Sequence, residues 1–301
     1  MALNNPAFNN PAFQDSRAVQ SYPGGANAAN LGGATSTAQR AGTDAAAQAH
    51  LEGMYAAPPA GSTDTGRMTV EDTVAKTVGL FVILLVGAVA GWLWTMSPVA
   101  EDNPPTGLPM VIGALVGFVL SLVVIFTSRK KVRPGLIFAY AAAEGLFVGG
   151  ISAYFEFIYE GIVMQATLGT LVVVGVTLAL FASGKIRASK RATKIFLIAM
   201  VGYLVFSLVN VGLMLFGVTD SAFGLRSEVT IFGIPLGVII GLLVVIMAAY
   251  SLVLDFDQIQ QGVRNGAPRQ MGWLGGFGIM VTVVWLYVEI LRIIAIVRGG
   301  E

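Results

Sequence analysis

Acidic side chains inside long apolar runs are the residues of this sequence that could carry chemistry. Asp255 and Asp257 close one apolar run, and Glu144 and Glu289 lie within two others. A charged side chain in hydrocarbon is costly, so a retained one typically serves an ion path, a proton relay or a buried ion pair. Residues two apart on a helix point about 200° apart, so we predict that only one of Asp255 and Asp257 faces the bundle interior and that the other meets the cytoplasmic interface.

The residue types around these acids favour oxygen ligands and protons. Carboxylates without histidine or thiolate suit hard cations such as Ca²⁺. Two carboxylates held close in a low-dielectric interior cannot both ionise easily, so they titrate as a unit and can act as a pH switch. The alternative is structural, with each acid paired to Arg292, to Arg129 or to a backbone group. Arg292 follows Glu289 by three residues, which predicts a local ion pair on one helical face.

Several classes of chemistry are excluded by residue types that the sequence lacks. There is no cysteine, and the single histidine, His50, lies outside the apolar region, which excludes thiolate metal sites, iron–sulfur clusters and multi-histidine metal sites. No apolar run holds a Ser–His pair or a Gly-x-Gly-Asp motif, and no phosphate-binding glycine loop occurs. We therefore expect neither an enzyme nor a resident cofactor. A net charge of +1 argues against nucleic acid as a partner.

The composition is that of a membrane protein with the lipid bilayer as its partner. Hydrophobic residues make up 55% of the 301 positions and charged residues only 12%, too few to cover a soluble domain. A spanning helix needs about 20 consecutive apolar residues. Runs of that order predict an all-α bundle of seven transmembrane helices within residues 69–301, at residues 77–96, 104–128, 134–155, 161–184, 195–219, 229–254 and 272–297.

Glycines four residues apart predict close packing between the spans. Small residues at this spacing let helix backbones approach, so the pattern indicates a compact bundle and says little about function. The pairs and triplet are Gly87/Gly91, Gly113/Gly117, Gly145/Gly149 and Gly233/Gly237/Gly241.

Residues 1–68 form a separate N-terminal segment. They are rich in Ala, Gly, Asn, Ser, Thr and Pro and hold no apolar run long enough for a core, which predicts a disordered tail. The tail opens with a tandem Asn-Asn-Pro-Ala-Phe repeat at residues 4–13, which is either low-complexity sequence or a docking motif for a protein partner. Thr69, followed by Glu71 and Asp72, predicts the cap of the first helix.

The charges of the loops predict the orientation of the chain in the membrane. Lys and Arg accumulate on cytoplasmic loops. The loops at residues 128–133, 185–194 and 264–269 are basic, and the loops between them are acidic. This alternation predicts a cytoplasmic N-terminus and a C-terminus outside.

Four stretches, in order along residues 69–298, resemble the Bax inhibitor-1 (transmembrane Bax inhibitor motif) family in its bacterial branch. Residues 140–150 resemble the family's acidic-Gly-Leu-x-x-Gly segment, and residues 162–170 resemble its fourth-span entry. Asp255-Phe256-Asp257-Gln258-Ile259 matches Asp-x-x-Gln-Ile at the end of span six, and Leu286-Tyr287-Val288-Glu289 matches Leu-Tyr-Leu-Asp in span seven. The resemblance leaves out the tail.

The resemblance implies a seven-helix bundle with the last helix at its centre. It also implies a pH-sensitive calcium leak channel of the bacterial inner membrane, gated by two facing acids. Carried over by position, these acids are Asp255 and Glu289, which are also the candidate Ca²⁺ ligands. The family's partner arginine corresponds to Arg129 or, on another alignment, to Arg133. Glu289 stands where the family has Asp, and the connection between the last two spans is longer.

We therefore predict two contacts within the bundle. Asp255 and Glu289 should lie within hydrogen-bonding or one-water distance, and Arg129 should pair with Asp255 when that acid is ionised. Asp257 should then be the more exposed of the two acids at the end of span six. The secondary candidates for the gating site are Asp257, Glu144, Arg292 and Arg133.

Two other functions remain open from the sequence. The same acids could couple proton or cation movement in a secondary transporter. The chain could also be a non-conducting membrane regulator whose tail recruits a protein partner.

Overall fold

The apolar runs fold into seven long helices. The structure, a computed structural model, describes residues 66–219, 221 and 223–299, so the predicted tail up to residue 65 lies outside the described residues. Within the described part, seven helices are long and apolar enough to cross a membrane, which confirms the predicted all-α bundle. Their bounds are α1 Val70–Met96, α2 Leu108–Ser128, α3 Pro134–Ile158, α4 Ile162–Ala182, α5 Lys190–Leu215, α6 Leu236–Arg264 and α7 Met271–Arg298. Shorter elements are a 3-10 helix, Ser97–Glu101, a helical turn, Leu225–Glu228, and a hairpin of β1, Thr230–Ile231, and β2, Ile234–Pro235.

The first helix starts where the sequence predicts its cap. The Thr69 hydroxyl accepts a hydrogen bond from a first-turn amide at 3.2 Å. The residues just before Thr69, assigned from the sequence to the tail, pack instead against the loop between α6 and α7. The Met68 amide donates to the Ala267 carbonyl at 2.7 Å, and the Arg269 amide donates to the Gly66 carbonyl at 2.9 Å. Because the apolar Met68 side chain is buried there, the membrane domain begins slightly before the predicted boundary.

The sixth helix begins later than its apolar run. The first residues of the predicted span, 229–235, are not helical, and residues 230–235 form the β1–β2 hairpin. Phe232 and Gly233 form its turn with φ angles of 53° and 80°. Two residues with positive φ suit a tight hairpin, because that turn matches the twist of the paired strands.

Helix α7 lies at the centre of the bundle, as predicted. It packs against α1, α3, α4 and α6. Glycines bring the helices close: a Cβ on Gly149 of α3 would overlap the Ala88 carbonyl of α1, and a Cβ on Gly241 of α6 would overlap Ile293 of α7. The predicted small-residue packing is confirmed at these contacts, whereas Gly233 lies in the hairpin turn.

The two ends of the bundle differ in charge. The loops after α2, α4 and α6 carry the basic residues, and we call this end the basic end; the opposite end is the acidic end. The start of α1 is fixed at the basic end by Asp72, which forms ion pairs with Lys76 and Arg269. The Lys76 ammonium also donates to the Arg269 carbonyl at 2.6 Å. These contacts join α1 to the loop between α6 and α7.

Candidate functional site

Asp255 lies on the face of α6 that packs against α7. Its side chain is fully buried, and its Oδ2 accepts a hydrogen bond from the Thr282 hydroxyl of α7 at 2.7 Å. The Ser251 hydroxyl, one helical turn away, lies 3.4 Å from the same Thr282 hydroxyl. Asp257 is only partly buried and accepts a hydrogen bond from the Gln261 side-chain amide at 2.7 Å. The prediction that Asp257 is the more exposed of the two acids is confirmed.

Glu289 lies on α7 and faces both α5 and α6. It is 2% exposed and forms an ion pair with Arg292, which confirms the predicted local pair. The Tyr203 hydroxyl of α5 donates to Glu289 Oε2 at 2.9 Å and accepts from Arg292 Nη2 at 2.6 Å. Glu289 Oε1 is buried and has no hydrogen-bond partner among the described residues. This oxygen lies beside Gly241 of α6. A Cβ added to Gly241 would lie 3.3 Å from Glu289 Oε1.

The predicted contact between Asp255 and Glu289 is wrong. Thr282, which binds Asp255, precedes Glu289 by seven residues on α7, or about 10 Å along the helix axis. Gly241, which lies beside Glu289, precedes Asp255 by 14 residues on α6, or about 21 Å. Because α6 and α7 run antiparallel from a short turn, the part of α7 opposite Asp255 is near Thr282. Glu289 lies farther along α7, towards the acidic end.

The predicted pair between Arg129 and Asp255 is not formed in this structure. Arg129 and Arg133 both have exposed side chains at the basic end. The ion pairs of the described residues are Lys76–Asp72, Arg269–Asp72 and Arg292–Glu289, so neither arginine takes part in one. Helix α2 packs mainly against α3, which leaves Arg129 at the surface.

Glu144 lies at a different interface, between α2 and α3. It is partly buried, and its carboxylate lies close to the Tyr140 side chain one turn earlier. A Cβ on Gly117 of α2 would lie 2.9 Å from Glu144 Oε2, so the glycine makes room for the carboxylate. The Tyr140 ring packs edge-on against Phe277 of α7 with centroids 4.9 Å apart. These contacts give Glu144 neighbours on α2 and α3.

Three polar residues that the sequence did not single out lie near the acids in the structure: Thr282, Tyr203 and Arg226. Arg226 is buried; its Nη2 donates to the Ser207 hydroxyl at 2.8 Å, and its guanidinium lies 5.4 Å from the centre of the Tyr203 ring. One signal could have singled out Arg226, since it is the only basic residue in the loops of the acidic end. A lone hydroxyl such as Thr282 gives no comparable signal, because its partner depends on packing between helices.

Polar side chains form two clusters along the α6–α7 interface, separated by apolar residues. Val244 and Ala248 of α6 and Leu286 of α7 are buried between the clusters, and we call them the apolar band. Their three- and four-residue spacing from Gly241, Ser251, Thr282 and Glu289 puts them on the same helix faces. The basic-end cluster is Ser251, Asp255 and Thr282, and the acidic-end cluster is Tyr203, Arg226, Glu289 and Arg292.

The distance between the two acids also decides what they can bind. Asp255 and Glu289 lie in different clusters, so they cannot both bind the same Ca²⁺ ion. The joint Ca²⁺ site implied by the family resemblance is therefore not formed in this structure. No group of three or more His, Cys, Asp or Glu residues that could hold a metal occurs in the described part of the chain. Each acid therefore acts with its own neighbours.

Comparison with known proteins identifies the family. Searches of curated proteins and of solved structures returned no match. The family model described as Bax inhibitor 1 like matches residues 5–299. The match includes most of the N-terminal tail, which the sequence resemblance had left out. Since the matched region covers nearly the whole polytopic chain, the chain belongs to the Bax inhibitor 1 like family.

Proposed function

We propose that this chain forms a regulated leak path for Ca²⁺ across the bacterial inner membrane, and that protons control it. The observation that carries the proposal is Asp255, a fully buried carboxylate in a helix interface of a membrane bundle. A buried acid at such a position is typical of an ion or proton path. Family membership and the oxygen-only chemistry of the buried acids support a hard cation as the passing ion.

The proposed path follows the α6–α7 interface from the acidic-end cluster to the basic-end cluster. The oxygens of Asp255, Ser251 and Thr282 would replace part of the water around a cation on this route. The apolar band lies between the clusters. A narrow apolar segment blocks ions because water does not fill it, so we take the present packing as the closed state.

Protons would act on two separate carboxylates and not on a shared pair. A buried charge needs a compensating partner. Glu289 has Arg292 and the Tyr203 hydroxyl, and Asp255 has the Thr282 hydroxyl among its partners. A change in the charge of either acid would alter these contacts, and with them the packing of α6 against α7.

The proposed placement puts the basic end in the cytoplasm. The alternating basic and acidic loops support this orientation. The N-terminal tail would then be cytoplasmic, where it could recruit a protein partner.

The proposal is tested by Ca²⁺ flux into vesicles reconstituted with the full chain, measured from pH 6 to pH 8. The wild type should admit Ca²⁺ with a pH-dependent rate. Asp255→Asn should flatten the pH dependence because it removes the titratable group and keeps the side-chain shape. The matched control is Asp257→Asn, two residues away and partly exposed, which should keep the wild-type pH curve.

Other results would reject the proposal in distinct ways. Saturable uptake with a fixed number of protons per Ca²⁺ would indicate a secondary transporter. Wild-type vesicles that admit no Ca²⁺ at any of these pH values would indicate a non-conducting regulator. If Asp255→Asn keeps the wild-type pH curve, Asp255 is a structural residue.

A further inference from the structure

A large groove opens between α1 and α4 in the half of the bundle near the acidic end. Its volume is about 780 Å³, within the range of about 300–1,000 Å³ that is typical of ligand sites. Trp92 and Leu85 of α1 form one wall, Thr167 and Leu171 of α4 form the other, and Val284 and Tyr287 of α7 lie on its floor. We call this space the α1–α4 groove.

The groove results from the packing of its walls. Helix α1 packs mainly against α3 and α7, and α4 packs mainly against α7 and α6. Gly149 of α3 brings α1 onto α3, because a Cβ there would overlap the Ala88 carbonyl. Each wall is therefore held by the helices behind it.

The polar groups at the floor of the groove are already paired within the protein. The Ser152 and Tyr287 hydroxyls lie 2.6 Å apart and bind each other, and the Thr170 hydroxyl donates to the Ala166 carbonyl at 2.7 Å. A polar ligand would find these groups occupied. The remaining lining is almost entirely apolar, which favours a hydrocarbon occupant.

The groove opens towards the lipid. Leu85, Val89 and Leu171 line it and are each more than half exposed, so its mouth is continuous with the apolar surface of the bundle. Water in the groove would have no free hydrogen-bond partners. If the groove were empty, the side chains that line it would lose van der Waals contacts. The medium beside the mouth consists of lipid acyl chains.

We propose that the α1–α4 groove is a binding site for one acyl chain of a membrane phospholipid from the leaflet at the acidic end. The acyl chain lies against the floor of the groove and contacts α7 at Val284 and Tyr287. Since Tyr287 precedes Glu289 by two residues, the bound lipid packs on the same helix segment that carries the acidic-end cluster.

The test measures phospholipid that stays bound to the purified full chain, by native mass spectrometry after extraction in mild detergent. The wild type should retain one phospholipid. Thr167→Phe fills the groove and should reduce the retained fraction to less than half of the wild-type value. The control, Leu168→Phe, adds the same ring at the next position, which faces lipid outside the groove, and should retain lipid as the wild type does.

A second pair of variants keeps the test valid if Thr167→Phe does not fold. Leu171→Trp narrows the groove, and Val172→Trp places the same ring at a position that is equally exposed and outside the lining. Only Leu171→Trp should lose the lipid.

A fluorescence measurement provides a readout in vesicles instead of detergent. A variant with Trp92 as its sole tryptophan is reconstituted in phosphatidylcholine carrying bromine on one acyl chain. Bromine quenches tryptophan on contact, so Trp92 should be quenched, and Thr167→Phe should reduce this quenching. Trp94 is exposed and lies outside the lining, so a variant with Trp94 alone should be quenched equally with and without Thr167→Phe.

Several outcomes would overturn the proposal. The wild type could retain no phospholipid, or Thr167→Phe and Leu168→Phe could retain it equally. The mass spectrum could instead show a small apolar molecule other than a lipid bound in the groove. It could also show a dimer that Thr167→Phe dissociates, which would place a helix of a second copy in the groove. Each of these results excludes the acyl chain as occupant.

Discussion

At the scale of single residues, the acidic-end cluster holds two arginines and one carboxylate. Arg292 pairs directly with Glu289, whereas Arg226 has the Ser207 hydroxyl and the faces of the Tyr203 and Phe206 rings as partners. Aromatic faces attract cations, and the attraction strengthens away from water. Among the described residues, Glu289 is therefore the only acid that forms an ion pair with either arginine.

Replacing Glu289 by Gln should destabilise the fold strongly. The change leaves the buried guanidinium groups without a carboxylate, and breaking a buried pair commonly lowers the free energy of unfolding by about 3–5 kcal/mol. Chemical unfolding in detergent would measure the effect. The control is Arg298→Gln at the same end of the bundle, where a partly exposed side chain donates to the Glu160 carbonyl at 2.8 Å and little stability depends on it. Equal stability of Glu289→Gln and the wild type would contradict this account of the cluster.

At the scale of secondary-structure elements, α5 and α6 are held in different ways. Helix α6 packs closely on α7 through glycines, with Gly237 beside Ile296 and Gly241 beside Ile293. Helix α5 is the least buried span, and its contacts with the bundle include polar ones, among them Tyr203 with Glu289. In hydrocarbon, hydrogen bonds and close packing both drive helix association. The α6–α7 interface is therefore packed more tightly than the contacts of α5, and the apolar band lies within it.

A hydroxyl in the apolar band should raise the resting Ca²⁺ flux of the proposed channel. Ala248→Ser adds one polar group between the two clusters with little change in volume, which favours water in the band and weakens the barrier to ions. Flux into reconstituted vesicles should rise several-fold above the wild-type rate. Ala249→Ser, on the neighbouring and less buried face of α6, should leave the flux unchanged. A flux that Ala248→Ser does not raise would exclude the band as the closed segment.

At the scale of the whole molecule, contacts far apart in sequence fix the basic end. Asp72 at the start of α1 binds Arg269 in the loop before α7, with Nε and Oδ1 3.0 Å apart. The same loop receives the backbone of Gly66 and Met68. The point where the N-terminal tail enters the bundle is therefore joined to the loop that connects α6 and α7.

The orientation of the whole bundle can be tested with introduced cysteines, because the chain has none of its own. Lys130→Cys at the basic end and Asn103→Cys at the acidic end both replace exposed residues. In intact cells, a maleimide that cannot cross the membrane should label Asn103→Cys only. Both variants should be labelled after lysis. Labelling of Lys130→Cys in intact cells would reverse the proposed orientation.

The sequence by itself determined the features of this protein that depend on neighbouring residues. Apolar run length predicts the seven helices, a threonine before two acids predicts the cap of α1, and three-residue spacing predicts the Glu289–Arg292 pair. Helical geometry also predicts that Asp255 and Asp257 do not both face the bundle interior. All of these are confirmed because they follow from the geometry of one helix.

Only the tertiary structure decided which residues meet across helices. The predicted contact of Asp255 with Glu289 fails because the partner of Asp255 depends on how α6 and α7 align along their axes. That alignment follows from the length of the turn between them and from the glycine contacts near the acidic end. Tyr203 and Glu289 meet for the same kind of reason, although 86 positions separate them. The alignment is a property of packed surfaces, and the pattern within a single apolar run does not encode it.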